Sequence, residues 1–185
     1  MYALRRQALS ILFRLSVLSP ADFKKGNGAE VLLNFIQHSK DVHQIECAIR
    51  VLRHLAQQCE SSRTWLGQHG AVAVITARFH DKSMPEDMRK EAVMTLHALC
   101  TDCMHNLGLC ENAEIVQLCV AALKDLCGSD PTLPNLLVIQ TITMLWTVIL
   151  QSSKCLEGLL SQDGTRYALE SGARWHHVLI DSFSI

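Results

Sequence analysis

The residues best suited to chemistry stand close together in this chain: His97, Cys100, Cys103, His105 and Cys110, in the pattern H-x-x-C-x-x-C-x-H-x4-C. Zinc takes four Cys or His ligands in a tetrahedron, and C-x-x-C followed by His is half of such a set. The same pair of thiols could close a redox disulfide between Cys100 and Cys103. A second C-x-x-C, which would complete the metal pattern, is missing. Register along the chain gives the thiols a plainer role. Moved back by 44 positions, Cys100 falls on Ala56 and Cys103 on Cys59; another 40 back stand Ser16 and Ser19. Small residues in matched slots let helices pack closely, with no metal and no cofactor needed. A zinc- or thiol-dependent regulatory module centred on Cys100 and Cys103 is therefore the alternative reading.

Other reactive side chains are more ordinary. Trp65, Trp146 and Trp175 are each a potential surface anchor. Trp146 lies in the most apolar stretch of the chain and is expected to be buried, and Trp65 half exposed. His176 and His177 suggest a metal tract or pH switch, yet adjacent helical residues point to different faces. Catalytic signatures are absent: there is no G-x-S-x-G, no H-E-x-x-H, no G-x-x-x-x-G-K and no dinucleotide fingerprint after a strand. No enzymatic activity is expected.

Charge narrows the partners. The whole chain carries 17 Lys+Arg against 18 Asp+Glu, which gives no global attraction to nucleic acid or anionic membrane. With aromatics at 5%, the basic and aromatic stripe of a nucleic-acid binder is lacking too. The halves differ, however: residues 1–90 sum to +5 and residues 91–185 to −6. An elongated molecule would have a basic end and an acidic end. Eight Cys at mostly apolar helical positions read as buried thiols in a reducing compartment such as the cytoplasm, not as a disulfide framework.

These side chains must be positioned by helices, because apolar residues recur at helical spacing and strand alternation is scarce. Gly28-Ala29, Gly70-Ala71 and Asn112-Ala113 stand 42 residues apart, each opening an apolar run. A second series, Ala8-Leu12-Leu15, Ala48-Leu52-Leu55 and Ala92-Leu96-Leu99, keeps step with offsets of 40 and 44. A repeat of this length is one supersecondary unit that buries its apolar face only by stacking on neighbours. Helices are expected over 2–18, 29–38, 42–58, 71–80, 86–102, 112–127 and 135–151, with short segments between them.

The first twenty residues place two Arg before an apolar stretch, as a targeting peptide does. Arg14 interrupts that stretch, and Ala8, Leu12 and Leu15 already belong to the repeat, so a structural helix is the better reading. The longest apolar run, residues 136–150, is too short to span a bilayer.

A short helix, Gly-Ala, a middle helix and then a long helix bearing A-x-x-x-L-x-x-L, over about 42 residues, resembles the armadillo repeat. RTWLGQHGAVAVI at 63–75, AIRVLRHLA at 48–56 and TRYALESGARWHHVL at 165–179 carry the likeness. The resemblance covers residues 28–127 well, 2–27 and 163–185 as partial units, and 128–162 poorly. It implies an all-α fold, a right-handed α-α superhelix of about four repeats. The units run 1–27 (partial), 28–69, 70–111, 112–162 (longer, irregular) and 163–185 (partial). In that family the third helices line a groove that holds extended partner segments. The Trp and Asn ladder of its nuclear-import adaptors is absent here, the aligned slots being Ser10 and Arg14, Arg50 and His54, Met94 and Ala98, Thr143 and Thr147. Irregular units of this kind also resemble those of cytoskeletal and ciliary scaffolds.

The resemblance thus implies a non-catalytic protein interaction scaffold. Its partner-binding candidates are Arg14, Arg50, Arg53 and His54, clustered on two adjacent third helices. Such guanidinium groups suit acidic or phosphorylated segments. Neither terminus carries a polar capping repeat, so the chain reads as a stretch of a longer protein. Leu4, Ile11, Val178 and Ile180 are then expected on faces without a neighbour, and the isolated chain is expected to self-associate end to end.

Overall fold

A computed structural model describes residues 2–127 and 135–160, and among these every regular element is a helix. The order is α1 (Tyr2–Leu18), α2 (Pro20–Lys25), α3 (Gly28–His38), α4 (Val42–Gln58), α5 (Glu60–Gln68), α6 (Ala71–His80), α7 (Glu86–Cys100), α8 (Met104–Asn112), α9 (Ile115–Cys127), α10 (Leu136–Gln151) and α11 (Ser153–Leu160). Trp175, His176, His177, Val178 and Ile180 lie outside the described residues, as does the side chain of Leu4.

Short, middle and long helices alternate, and like packs on like. The long helices stack as α1 on α4 on α7 on α10, the middle ones as α3 on α6 on α9, and the short α5 sits on α8. The slots of the A-x-x-x-L-x-x-L series explain the long stack. Ala48, Leu52 and Leu55, and likewise Ala92, Leu96 and Leu99, are wholly buried. In α10 the same slots hold Thr141, Leu145 and Val148, also buried. The Thr141 hydroxyl is satisfied within its own helix, donating to Leu137 O at 2.7 Å. In α1 the slots hold Ala8, exposed, Leu12, half-buried, and Leu15, exposed like Ile11 and Leu18, so the first triplet of the series is not in the core.

The middle helices correct one register. Each is entered through a residue in the left-handed region: Asn27 (φ 54°), Gly70 (φ 85°) and Glu114 (φ 52°). Counting from these, the first, second, fifth, sixth and ninth helical residues are buried in all three: Gly28, Ala29, Leu32, Leu33 and Ile36; Ala71, Val72, Ile75, Thr76 and Phe79; Ile115, Val116, Cys119, Val120 and Leu123. Neither Gly70-Ala71 nor Asn112-Ala113 is therefore the equivalent of Gly28-Ala29: Gly28 matches Ala71 and Ile115, and Ala29 matches Val72 and Val116. Helix α8 continues through Asn112, Ala113 is its half-buried C-cap, and Ile115 opens the apolar run. The left-handed turn sets the phase, and Glu114 adopts it without being glycine.

Hydrogen bonds tie each unit to the one before. Gln58 donates from Nε2 to Ser16 O at 3.1 Å. Arg78 donates to Ile36 O and Gln37 O at 2.5 and 2.9 Å, covering carbonyls that the end of α3 leaves without partners. Asn106 donates to Arg63 O at 2.9 Å and to Leu99 O at 2.8 Å.

Candidate functional site

The thiols foreseen around Cys100 stay near one another, as their mutual effect on the Cys100 pKa requires, but they do not gather with a histidine around one point. Cys100 is buried on α7 with its sulfur 3.1 Å from that of Cys110 on α8. Cys103 is the N-cap of α8 and lies 3.6 Å from the Thr64 hydroxyl. His105 is exposed, and His97 is half-buried on α7, where desolvation lowers its pKa. Among the described residues no three His, Cys, Asp or Glu side chains converge as metal ligands. The matched small residues also divide. Ser16, Ala56 and Cys100 are packing positions, all buried, whereas Ser19, Cys59 and Cys103 are the N-caps of α2, α5 and α8. None of the three side chains makes a capping hydrogen bond, and Cys103 is buried as well.

The thiols differ sharply in reactivity. The hydrogen bond shared with Cys110 raises the Cys100 pKa well above its usual value, with burial adding to it, and burial raises that of Cys119. Cys59 is exposed, with the Ser61 and Ser62 hydroxyls each 3.2 Å from its sulfur, and its pKa is lowered to about 7 chiefly by those hydroxyls. Cys47 is exposed as well, so burial does not extend to every cysteine.

The outward side of the long-helix stack carries the groove candidates. Arg50 reaches Glu46 at 2.6 Å and Glu91 at 3.6 Å. Arg53 lies 3.1 Å from Glu91 and donates to Met94 Sδ at 3.2 Å. The two cations expected to meet an acidic ligand are thus neutralised by carboxylates of the protein itself. His54 packs its ring on Phe13 at 5.8 Å. Arg14 is exposed, and among the described residues no acid pairs with it.

Register joins these residues to others. Phe13, Arg53, His97 and Trp146 occupy one slot on α1, α4, α7 and α10 in turn. Trp146 is 48% exposed, against the expectation of a buried side chain. Its helix is apolar nearly all round, and the stack needs only one side of it, so the indole falls on the open side. Trp65 is half-buried as expected, on α5 and away from this row, edge-on to Phe23 at 6.3 Å with Lys24 5.6 Å above it.

Between α1 and α4 the surface opens into a mostly apolar crevice of about 550 Å³, lined by Leu9, Ser10 and Phe13 on one side and Gln44, Cys47 and Arg50 on the other. The matching place between α4 and α7 holds Arg50, Arg53, Glu91 and Met94, which fill it with their ion pairs. Sequence reasoning missed the crevice. Its signal was Gln44, a polar residue where α7 and α10 carry Met88 and Leu137.

Among the described residues no helix is long and apolar enough to cross a membrane. No family model matches the chain, and no curated protein is significantly similar to it.

Proposed function

We propose that this chain is a non-catalytic interaction scaffold, an armadillo-like right-handed superhelix that holds an extended partner segment along its long helices. The single observation that carries the reading is the row Phe13, Arg53, His97 and Trp146. It sets two exposed aromatics and two half-buried polar side chains at one repeating position across four stacked helices. An extended chain presents side chains at regular intervals, and a regular stack of helices is a template for it. Trp and Arg are also the side chains most enriched where binding energy concentrates.

The ligand chemistry follows from the charges. Glu46 and Glu91 take up Arg50 and Arg53, so the centre of the face is near neutral and favours a mixed or apolar segment over a strongly acidic one. Arg14, with which no acid pairs among the described residues, offers a cation for one carboxylate or phosphate near the α1 end. Free thiols at Cys47 and Cys59 suit a reducing compartment.

A photoreactive amino acid introduced in place of His97 or Trp146, in the chain expressed in cells, tests the reading. Crosslinks to discrete partner proteins are expected from both positions and not from the position of Val31 on the middle helix α3, which is exposed too. Equal or richer crosslinking at residue 31 would remove the long-helix face as the binding surface.

A further inference from the structure

Two cysteines brought together at the α7–α8 joint carry a chemistry that the scaffold reading does not use. Cys100 is the last residue of α7 and Cys110 lies near the end of α8, with the chain turning between them through Asp102 at a left-handed φ of 47°. Their sulfurs are 3.1 Å apart, and both side chains are wholly buried. A disulfide holds its sulfurs about 2.05 Å apart, so an approach of about 1 Å closes the bond.

The preceding unit shows that packing does not demand this pair. Moved back by 44 positions, Cys100 falls on Ala56 and Cys110 on Leu66, both wholly buried, so the same joint closes there without sulfur. Cys103 and Cys119 are near enough to act on the Cys100 pKa. The Cys103 sulfur, however, is 3.6 Å from the Thr64 hydroxyl on α5, and Cys119 belongs to α9. Among the described residues no set of three ligands makes this a metal site. Two facing thiols then have one reaction in common, oxidation to a disulfide.

At rest the pair is protected. The thiolate is the reactive form, and the shared hydrogen bond together with burial keeps Cys100 a thiol. Access comes through α8, a helix of nine residues with Met104 and His105 exposed, whose local unfolding carries Cys110 out to solvent.

We propose that Cys100 and Cys110 form a reversible redox site, closed to a disulfide by hydrogen peroxide and reopened by a thiol reductant. One thiolate attacks the peroxide O–O bond, which gives a sulfenic acid and, with the thiol's proton, one water. The other thiol then attacks that sulfur: the S–S bond forms, the S–O bond breaks, and the hydroxyl leaves with the second proton as water. Two thiols lose two electrons, and the peroxide gains them. Reduction runs by exchange, two reductant thiols leaving as their own disulfide. The bond fastens α8 to the end of α7, where Asn106 already holds Leu99 O. This site stands independently of the segment-binding reading.

The test uses the intact chain carrying Cys47→Ser and Cys59→Ser, which removes two exposed thiols. It is treated with hydrogen peroxide under folding conditions and quenched with N-ethylmaleimide. Cleavage before Asp102 and after Leu107 separates Cys100, Cys103 and Cys110, so mass mapping without reduction assigns the bond. The Cys100 peptide is expected joined to the Cys110 peptide, and the urea midpoint raised, because the closed loop constrains the unfolded chain. Dithiothreitol should reverse both. Cys100→Ala, which installs the residue of the Ala56 slot and should fold, should show neither. Should that variant not fold, the map of the parent chain decides alone. A bond mapped to Cys103 or Cys119 instead, or Cys100 and Cys110 both recovered as free thiols, overturns the proposal.

Discussion

Asn106 reaches the carbonyls of Arg63 and Leu99 only because residue 67 is glycine: its side chain occupies the place where a Cβ on Gly67 would stand. A side chain from α8 is thereby buried against α5, and two backbone acceptors are satisfied at the joint between units. Gly67→Ala should cost about 1–3 kcal/mol through overpacking. Asn106→Ala should cost a similar amount by stranding the carbonyls. Because both act on one contact, the double variant should lose clearly less than the sum. Urea denaturation of the four proteins measures this, and strict additivity would show the two residues to be independent.

The turn before α9 offers a gain in stability. Glu114 holds a φ of 52°, a region that costs a residue with a Cβ about 1–2 kcal/mol. Glu114→Gly relieves that strain but frees the unfolded chain, so a net stabilisation of about 0.5–1 kcal/mol is expected. Gly70→Ala, at φ 85°, should be destabilising by a comparable amount. Thermal melts of both variants read the opposite signs.

Glu91 is the hub of the charged centre. Its carboxylate is buried, while Arg50 is exposed and Arg53 partly so. Removing the carboxylate lets both cations turn to water, so Glu91→Gln should cost only about 1–2 kcal/mol, below the range for a fully buried pair. Arg53→Met leaves the buried anion without its nearest cation and should cost more. Chemical denaturation giving the reverse order would contradict the assignment of Glu91 as the buried partner.

Cysteine reactivity should follow environment. With its pKa lowered to about 7 by the Ser61 and Ser62 hydroxyls, Cys59 is about half thiolate at neutral pH. Its alkylation rate should rise with a midpoint near that pH and move upward in Ser61→Ala/Ser62→Ala. Cys100 and Cys119, buried and with raised pKa values, should react only on unfolding. Mass spectrometry of iodoacetamide-treated protein across pH distinguishes them, and rapid labelling of Cys100 in the folded chain would refute the burial.

Much of this was legible in the residues. The long-helix series Ala48-Leu52-Leu55 and Ala92-Leu96-Leu99 fell in the core as read, because spacing of four and three on a helix defines one face whatever the neighbours do. Ala29, Ala71 and Ala113 do not match, because the phase is set by the left-handed residue before each helix and not by the dipeptide, and Glu114 carries no compositional sign of that role. Trp146 was misjudged because an apolar helix was equated with a buried one. The partners of Arg50 and Arg53 were hidden since Glu91 lies some forty residues away in sequence and meets them only through stacking. The crevice was hidden for the same reason: it is made by what α1 and α4 do not supply to each other.

The most direct measurement of the scaffold reading is hydrogen exchange on the intact chain with and without a segment selected by display. Protection is expected along the exposed side of α1, α4, α7 and α10, with α3, α6 and α9 unchanged. Protection on the middle helices, with none on the long ones, would contradict it.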